Sequence, residues 1–283
     1  MKRKVWSLIF LGLISFAALF AILHIRGISQ FDTIADLRRS GGIVDLSGQQ
    51  SFFSLLVSNW STPDYWDRVT RVRLNRDDSV LFRTQPPKEI TSEFTSLSKL
   101  TTIETANFDN TQVNSSHLAS LTDLVKLRTL SLAGTTLHEA EFRAIGKLKH
   151  LKSVSLYGAK CDGQHLALIG NGRLQELSLS NTELTDGAIP SVVQIKSLKI
   201  LDLSATDVSD SAVSHLLTLQ QLEELNLCET NVTDACIEDL IKIPNLKNLD
   251  ICNTGITDRG LKQLRDARQN LKIDAGFLMI SWR

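Results

Sequence analysis

The chain has 283 residues, of which 42% are hydrophobic and 22% are charged. This mixture is typical of a chain that folds around an apolar core rather than staying disordered. Lys and Arg together number 31, as do Asp and Glu, so the formal net charge is zero. A neutral chain has no global field that would attract nucleic acid or an acidic substrate, so any electrostatic specificity must be local.

Residues 1–26 predict a signal anchor that crosses a membrane as one helix. Three positive residues, Lys2 to Lys4, precede an apolar run from Val5 to Leu23. At about 1.5 Å per residue, a helix of this length matches the hydrocarbon core of a bilayer. The positive charges before the run predict a single-pass protein with its N-terminus inside and its remainder outside, on the periplasmic side in a bacterium. The alternative is a signal peptide cleaved near Ser15-Phe16-Ala17, but the apolar run continues past that site.

Residues 27–99 are interpreted as a juxtamembrane N-terminal cap that includes a first, degenerate repeat. Val69, Val72 and Leu74 have the spacing of the strand positions described below. A group of aromatic residues also falls in this region: Phe52, Phe53, Trp60, Tyr65 and Trp66. Because large aromatic side chains are usually buried, we predict that these pack over the first repeat. The functional alternative is a docking patch beside the membrane.

Residues 100–276 contain a regular repeat, and a short tail, 277–283, follows. The units start at leucines spaced by 23 or 24 residues, namely Leu127, Leu151, Leu174, Leu198, Leu222 and Leu246. Each unit follows the pattern L-x-x-L-x-L-x-x-T, and the alternation of its leucines indicates a short strand. A fixed period in this range predicts a solenoid whose stacked units share one core. Residues 270–276, NLKIDAG, predict a last strand that closes the stack.

Upstream of Leu127 the repeat pattern is weaker. Leu100 and Ile103 fit the template, but Thr105 then falls where a buried residue is expected, so we interpret this unit as degenerate.

Four of these units, those that begin at Leu174, Leu198, Leu222 and Leu246, also carry a helix-start signal, a Thr or Ser followed by Asp. The predicted N-caps are Thr185, Ser209, Thr233 and Thr257. A hydroxyl at this position accepts a free backbone N–H, and the following Asp complements the positive end of the helix dipole. The aspartates could instead form a ladder of cation ligands, but their place directly after an N-cap favours the capping role.

The segments "TELTDGAI", "TNVTDACI" and "TGITDRGL" resemble leucine-rich repeats of the T-x-[IV]-T-D-x-G-[LI] variety. The cysteine-containing repeats of F-box receptor proteins are similar to them, as are membrane-anchored leucine-rich repeat proteins of planctomycete bacteria. The second resemblance extends to residues 34–48 and 65–74, which look like the short helix, Gly-Gly turn and first strand that precede the array in that group. It implies an α/β solenoid with a parallel sheet on the concave face and short helices on the convex face, and it implies little about function.

On a sheet of this kind the residues between and after the strand leucines face the concave side, where the core does not need them. The candidate binding residues on this face are Ser155, Tyr157, Ser178, Asp202, Glu224, Asn226, Cys228, Asp250 and Cys252. Concave solenoid surfaces often bind partners, although small polar residues are also what a solvated sheet face tolerates.

Cys228 and Cys252 occupy the same template position in neighbouring units. Strands about 4.8 Å apart would bring them within the range of a disulfide, but parallel Cβ vectors are a poor start for the required torsion. We therefore expect free thiols, with a disulfide or a site for a soft metal beside Asp202 or Asp250 as alternatives. A thiol pair without His falls short of a closed metal ligand set, so we predict no metal site.

These features favour a membrane-anchored, non-enzymatic module that recognises a protein or an envelope polymer through its concave face. The alternative is a structural scaffold that assembles through the juxtamembrane region, and an adaptor in protein turnover rests only on the likeness to F-box receptors. The sequence contains no G-x-S-x-G, Walker loop or G-x-G-x-x-G, so we predict neither an enzyme nor a cofactor.

Overall fold

The computed structural model describes residues 43–46, 69–73, Leu97 and 102–276 except residue 162. The predicted anchor (1–26), the predicted tail (277–283) and the aromatic residues between Phe52 and Trp66 lie outside the described residues. Within the described ranges, no helix combines the length and apolar character needed to cross a bilayer.

The described strands form one sheet of ten, and they lie in it in chain order. β1 pairs with β2 in antiparallel orientation, and each later pair of neighbours, from β2 to β10, is parallel. The strands are β1 (Ile43–Leu46), β2 (Val69–Arg73), β3 (Thr105–Asn107), β4 (Thr129–Ser131), β5 (Ser153–Ser155), β6 (Glu176–Ser178), β7 (Ile200–Asp202), β8 (Glu224–Asn226), β9 (Asn248–Asp250) and β10 (Lys272–Asp274). Parallel neighbours in chain order require every connection to return along the outside of the sheet, which makes the molecule a solenoid.

Short helices fill these returns and vary in type from unit to unit. The α-helices are α1 (Ser115–Ala119), α2 (Glu139–Gly146), α3 (Ile189–Val192), α4 (Asp210–Leu216), α5 (Ile237–Lys242) and α6 (Asp258–Ala267). Segments of 3-10 helix lie at Ser120–Asp123, Leu166–Ile169, Asp186–Ala188 and Asp234–Cys236. We call this half of the solenoid the helical side.

The core runs without interruption between the sheet and the helical side. The central residue of each strand from β3 to β9 is buried, as at Leu201, Leu225 and Leu249, while its two neighbours are half-buried or exposed. The packed cluster extends from Leu97 to Leu271. A unit of 24 residues cannot offset its own ordering entropy, so this shared core is what stabilises each repeat.

The predicted register of the unit before Leu127 was wrong. Ile103, Ala106 and Phe108 are the buried residues of this unit, each at most 1% exposed. Thr105 therefore lies on the strand face, in register with Thr129 of the next unit. The unit follows the same template as the others, with Ala106 and Phe108 in place of leucines.

Every unit from residue 103 onward leaves its strand through the same turn, which we call the strand turn. One residue of each turn has a positive φ between 52° and 65°: Asn110, Gly134, Gly158, Asn181, Ala205, Glu229 and Asn253. The template Thr follows, and its buried or half-buried hydroxyl donates to the carbonyl three residues before it. These threonines are Thr111, Thr135, Thr182, Thr206, Thr230 and Thr254, with distances of 2.5–2.8 Å. The unit that begins at Leu151 has the buried Ala159 at this position.

The predicted helix starts are confirmed in position, but only the Thr233 and Thr257 hydroxyls accept a backbone N–H of their own helix, and the aspartates do more than complement the helix dipole. Thr185, Ser209, Thr233 and Thr257 are N-caps. Three of the four aspartates that follow these N-caps, Asp186, Asp210 and Asp234, accept hydrogen bonds from the N-cap of the following unit. Asp234, for example, accepts from the Thr257 backbone N–H at 2.8 Å and from its hydroxyl at 2.6 Å. Asp186 binds Ser209 and Asp210 binds Thr233 in the same way.

These bonds stabilise the charged form of two of the carboxylates. Hydrogen bonds from the Thr257 hydroxyl and backbone lower the pKa of Asp234. Burial alone would raise the pKa of Asp186, but bonds from Ser209 and Ser211 outweigh it, and the net shift is downward. The aspartates thus link consecutive repeats to one another, which is a structural role.

Arg268, directly after α6, closes the C-terminal end of the helical side. Its guanidinium donates to the backbone carbonyls of Ile241 and Ile243 at 2.8 Å and of Leu246 at 2.7 Å. These carbonyls belong to the end of α5 and the loop that follows it. One side chain therefore satisfies three free acceptors at and after the end of the preceding helix.

Candidate binding groove

The C-terminal part of the concave face forms an open groove of about 680 Å³. It is lined by all three residues of each of the last four strands, β7 to β10. We call it the acidic groove, because its carboxylates are Asp202, Glu224, Asp250 and Asp274 and its one lysine is Lys272. Ile200 and Ile273, both half-buried, add apolar surface.

The structure brings only part of the predicted site together. Asp202, Glu224, Asn226 and Asp250 line the acidic groove. Ser155 and Ser178 lie on β5 and β6 and are half-buried, outside that lining. Tyr157 follows β5 and is 52% exposed, which makes it one of two large hydrophobic residues this exposed in the described part of the chain.

The Asp and Asn side chains at the middle template position also have a structural role, contrary to the sequence-based expectation. Each accepts a hydrogen bond from the backbone N–H two residues further on: Asp202 from Ser204 at 3.0 Å, Asn226 from Cys228 at 3.0 Å, Asp250 from Cys252 at 3.3 Å and Asp274 from Gly276 at 2.9 Å. Asp and Asn are favoured here because they form this local turn with their own backbone. Glu224 differs: it is exposed, and its carboxylate accepts from the Asn248 side chain at 2.9 Å.

Polar contacts between units extend along the neighbouring face. The Ser178 hydroxyl donates to Asp202 at 3.1 Å, and the Ser204 hydroxyl contacts Ser180 at 2.9 Å and Asp202 at 2.6 Å. The hydroxyl groups of the concave face therefore bind one another and the nearest carboxylate, which orders the face before any partner arrives.

Cys228 and Cys252 form a disulfide, so the expectation of free thiols was wrong. Their Cα atoms are 4.5 Å apart. This separation lies just inside the range of about 4.4 to 6.8 Å found in disulfides. It follows from the register of β8 and β9, which pairs Asn226 with Asp250, because each cysteine lies two residues after the end of its strand.

The Asp250 carboxylate lies beside this disulfide. Burial raises the pKa of Asp250, the hydrogen bond from the Cys252 N–H opposes that effect, and the charges of Asp274 and Asp202 raise the pKa further. Burial and the neighbouring carboxylates thus both disfavour the ionised form of Asp250.

The other two cysteines, Cys161 and Cys236, are packing residues. Cys161 is half-buried against the core, and Cys236 is 1% exposed. Burial, with a contribution from the Asp210 charge, raises the pKa of Cys236 to about 12. This thiol stays protonated at neutral pH and is therefore a poor nucleophile.

Sequence reasoning missed Lys272 and Asp274 as groove residues. They belong to β10, whose segment NLKIDAG predicted a closing strand but no part in binding. The signal was available: Lys272 and Asp274 are in register with Asn248 and Asp250, so they must share the face on which those residues lie.

The fold defines a leucine-rich repeat solenoid, in which a parallel sheet lies opposite short helices. A scan against protein-family models finds no match, and a search of curated proteins finds no relative. Among solved structures, the chain is similar to internalin C2 from Listeria monocytogenes, with 21% identity, a TM-score of 0.50 and coverage of 76% of this chain and 84% of that one. It is also similar to internalin InlF of the same organism, with 22% identity and a TM-score of 0.49 over 66% of this chain. This chain spans 50% of the length of the InlF structure. At these identities the likeness is one of fold.

Proposed function

We propose that the protein is a non-enzymatic recognition module that binds a protein partner in the acidic groove. The partner segment we infer is basic and partly apolar. The observation that carries this proposal is the composition of the groove: four carboxylates and one lysine surround the apolar surface of Ile200 and Ile273.

The charge balance of the groove favours a cationic partner. Carboxylates gathered on a concave surface sum their potentials, and water inside a concavity screens them less than on a flat face. The ordered strands add rigidity, because the turn-forming Asp202, Asn226 and Asp250 are fixed by their own backbone. Preorganised side chains lose less entropy when a partner binds.

Glu224 is the residue best suited to test this proposal. Its side chain is exposed and central in the groove, between Ile200 and Asn248 on the neighbouring strands. Because it does not hold a turn, Glu224→Lys changes the charge of the groove with little effect on the fold. Glu183→Lys is the matched control, since Glu183 is also exposed and lies outside the groove lining.

The experiment measures binding of the full chain in detergent to two synthetic peptides of equal length. One is rich in Lys, Arg and Leu, and the other carries Asp and Glu in place of its basic residues. We expect the basic peptide to bind more tightly, less so at high salt, and Glu224→Lys to weaken it at least about 10-fold while Glu183→Lys leaves it unchanged. Equal binding of both peptides, or equal affinities of the two variants, would contradict the proposal. Capture of an anionic envelope polymer instead of either peptide would do the same.

We also propose that residues 1–26 anchor the module in a membrane with the repeats outside. The support is the apolar run from Val5 to Leu23 and the positive charges before it. Protease added to intact cells and to spheroplasts checks this topology: the repeats should be digested only in spheroplasts, and the N-terminus of the cell-derived protein should be intact. Protection in both preparations would place the repeats inside.

Deletion of the repeats separates recognition from scaffolding. If the chain shortened to residues 1–99 still joins the complex of the full protein, the juxtamembrane region and not the groove makes the contact.

A further inference from the structure

We propose that Cys228, Asp250 and Cys252 form a site for a thiophilic divalent cation of the zinc class when the two cysteines are reduced. Potential ligand atoms of these three residues all lie within 4.8 Å of one another. Within the described part of the chain, this is the group of His, Cys, Asp and Glu residues that comes together in this way. The inference goes beyond the proposed function and does not depend on it.

The fold itself brings the three ligands together. Asp250 ends β9, Cys252 follows it by two residues, and Cys228 occupies the equivalent position after β8. A tetrahedral zinc ion with Zn–S bonds of about 2.3 Å and Zn–O bonds of about 2.0 to 2.2 Å needs ligand atoms separated by about 3.5 to 3.8 Å. Reduction of the disulfide allows the two sulfur atoms to move apart to such a separation by side-chain rotation, without a change in strand register.

The surroundings of the sulfur atoms favour the reduced form as a ligand. The Asp250 carboxylate contacts the Cys228 sulfur, but a disulfide sulfur has no hydrogen to donate to it. This contact becomes a hydrogen bond only when Cys228 is a thiol, and it becomes a bridge when a cation lies between the two atoms. The Cys252 backbone N–H points at the Cys228 sulfur at 3.2 Å, and such a donor stabilises a thiolate.

Charge and access also suit a cation. Cys228 is 7% exposed, while Asp250 and Cys252 are half-buried at the edge of the acidic groove. Asp202 and Asp274 add negative charge near Asp250. Two thiolates and one carboxylate leave one tetrahedral position for water, as in zinc sites with three protein ligands. Thiolates select zinc over magnesium and calcium.

The disulfide is then the oxidised, metal-free state of the same site. In the reductive step a small dithiol transfers two electrons and two protons to the Cys228–Cys252 bond, which opens to two thiols while the dithiol closes to its own disulfide. Zinc binding releases the two thiol protons to solvent. In the periplasmic location proposed above, oxidising conditions favour the disulfide, so the metal site forms there only after this bond is reduced.

The experiment uses the full chain in detergent, reduced with a dithiol that is then removed without air. The protein is titrated with Co²⁺, whose bonds to thiolates give charge-transfer absorption in the near ultraviolet, and then with Zn²⁺. We expect one Co²⁺ per chain, displacement by Zn²⁺ and no comparable binding to the oxidised protein. X-ray absorption of the zinc-loaded wild type should show two sulfur neighbours at about 2.3 Å. A first shell of nitrogen and oxygen alone would overturn the proposal.

Variants assign the ligands. Cys252→Ser should abolish the charge-transfer absorption or weaken binding more than about 100-fold, and Cys161→Ser is the matched control that should leave both unchanged. Asp250→Asn keeps the acceptor for the Cys252 N–H, so it should retain the absorption with an affinity about 10-fold lower. Unchanged affinity in Asp250→Asn would exclude the carboxylate as a ligand and overturn the site as proposed. So would binding by the reduced wild type that is no tighter than that of the double variant Cys228→Ser, Cys252→Ser.

Discussion

The strand turns and the helical side of this solenoid share one sequence repeat, but the strand turns have nearly the same conformation in every unit while the helices differ in type and length. Each strand turn has a residue with positive φ at the same place, whether that residue is Gly134, Asn181, Ala205 or Glu229. The helical side instead ranges from a four-residue 3-10 helix at Leu166–Ile169 to the ten-residue α6.

The difference has a physical cause in the hydrogen bonds between units. Each strand and its turn bond to the next unit through backbone groups, as from Glu229 N–H to the Cys252 carbonyl at 2.9 Å. Backbone bonds of this kind fix the spacing and register of neighbours to a fraction of an ångström. The helices contact each other mainly through side chains, which adapt to a longer or shorter helix. Direct backbone pairing therefore enforces uniformity, while side-chain packing permits variation.

The largest effect should come from Arg268, which bonds to carbonyls at and after the end of α5 on the helical side. Arg268→Ala removes three charge-assisted bonds to the carbonyls of Ile241, Ile243 and Leu246. We expect the free energy of unfolding to fall by about 2 to 4 kcal/mol, measured by chemical denaturation of the full chain in detergent. Hydrogen exchange should show the loss first in α5 and α6.

Arg265→Ala provides the control for this change. Arg265 is exposed on α6, one turn before Arg268, and its removal should change the free energy of unfolding by less than about 0.5 kcal/mol. Equal losses in the two variants would show that helix content, and not the cap on the carbonyls, stabilises this end.

A smaller effect is expected within a single strand turn. Thr206 is 4% exposed, and its hydroxyl donates to the Leu203 carbonyl at 2.5 Å. Thr206→Val keeps the shape of the side chain but removes this donor, so the free energy of unfolding should fall by about 1 to 3 kcal/mol. Denaturant unfolding of the two proteins measures the difference.

Thr206→Ser distinguishes the hydroxyl from the methyl group. It keeps the donor and removes one methyl, which should cost about 0.8 kcal/mol. If Ser destabilised the protein more than Val, packing rather than the hydrogen bond would explain the recurring threonine. The unit with Ala159 already shows that a strand turn can form without it.

The periodic part of this architecture could be predicted from the sequence. The leucine spacing predicts the strands from β4 to β9, and the Thr-Asp and Ser-Asp pairs predict the N-caps. Both signals can be read from the sequence because a characteristic residue type recurs at a fixed position of the repeat. The register of β3 was missed, since Ala106 and Phe108 are buried there and neither is a leucine. The pattern of leucines alone carries no information about such a unit.

The groove was predicted less well than the fold, for a different reason. Alternation places Asp202 and Asp250 on the concave face, but it does not say whether a side chain turns toward solvent or back to its own backbone. The choice depends on side-chain torsions and on a donor two residues away. The disulfide was missed for the same reason, because sulfur positions depend on side-chain torsions that the repeat spacing does not fix.

The smallest predicted effect is a stabilisation, obtained by giving a strand turn the residue type that other strand turns have at the positive-φ position. Glu229 has a φ of 59°, a conformation that costs an ordinary residue about 1 to 2 kcal/mol. Asn adopts it readily and occurs at the equivalent positions 110, 181 and 253. Glu229→Asn should therefore raise the free energy of unfolding by about 0.5 to 1 kcal/mol, seen as a higher denaturation midpoint with an unchanged slope.

Glu183→Asn separates the backbone effect from the loss of a negative charge. Glu183 is exposed and is absent from the residues with positive φ in the described part of the chain. This control should leave stability unchanged or slightly lower. If both substitutions stabilised the protein equally, relief of charge repulsion would be the cause. The strand turn would then tolerate Glu229 because backbone bonds from the neighbouring unit hold it, with no conformational strain left to remove.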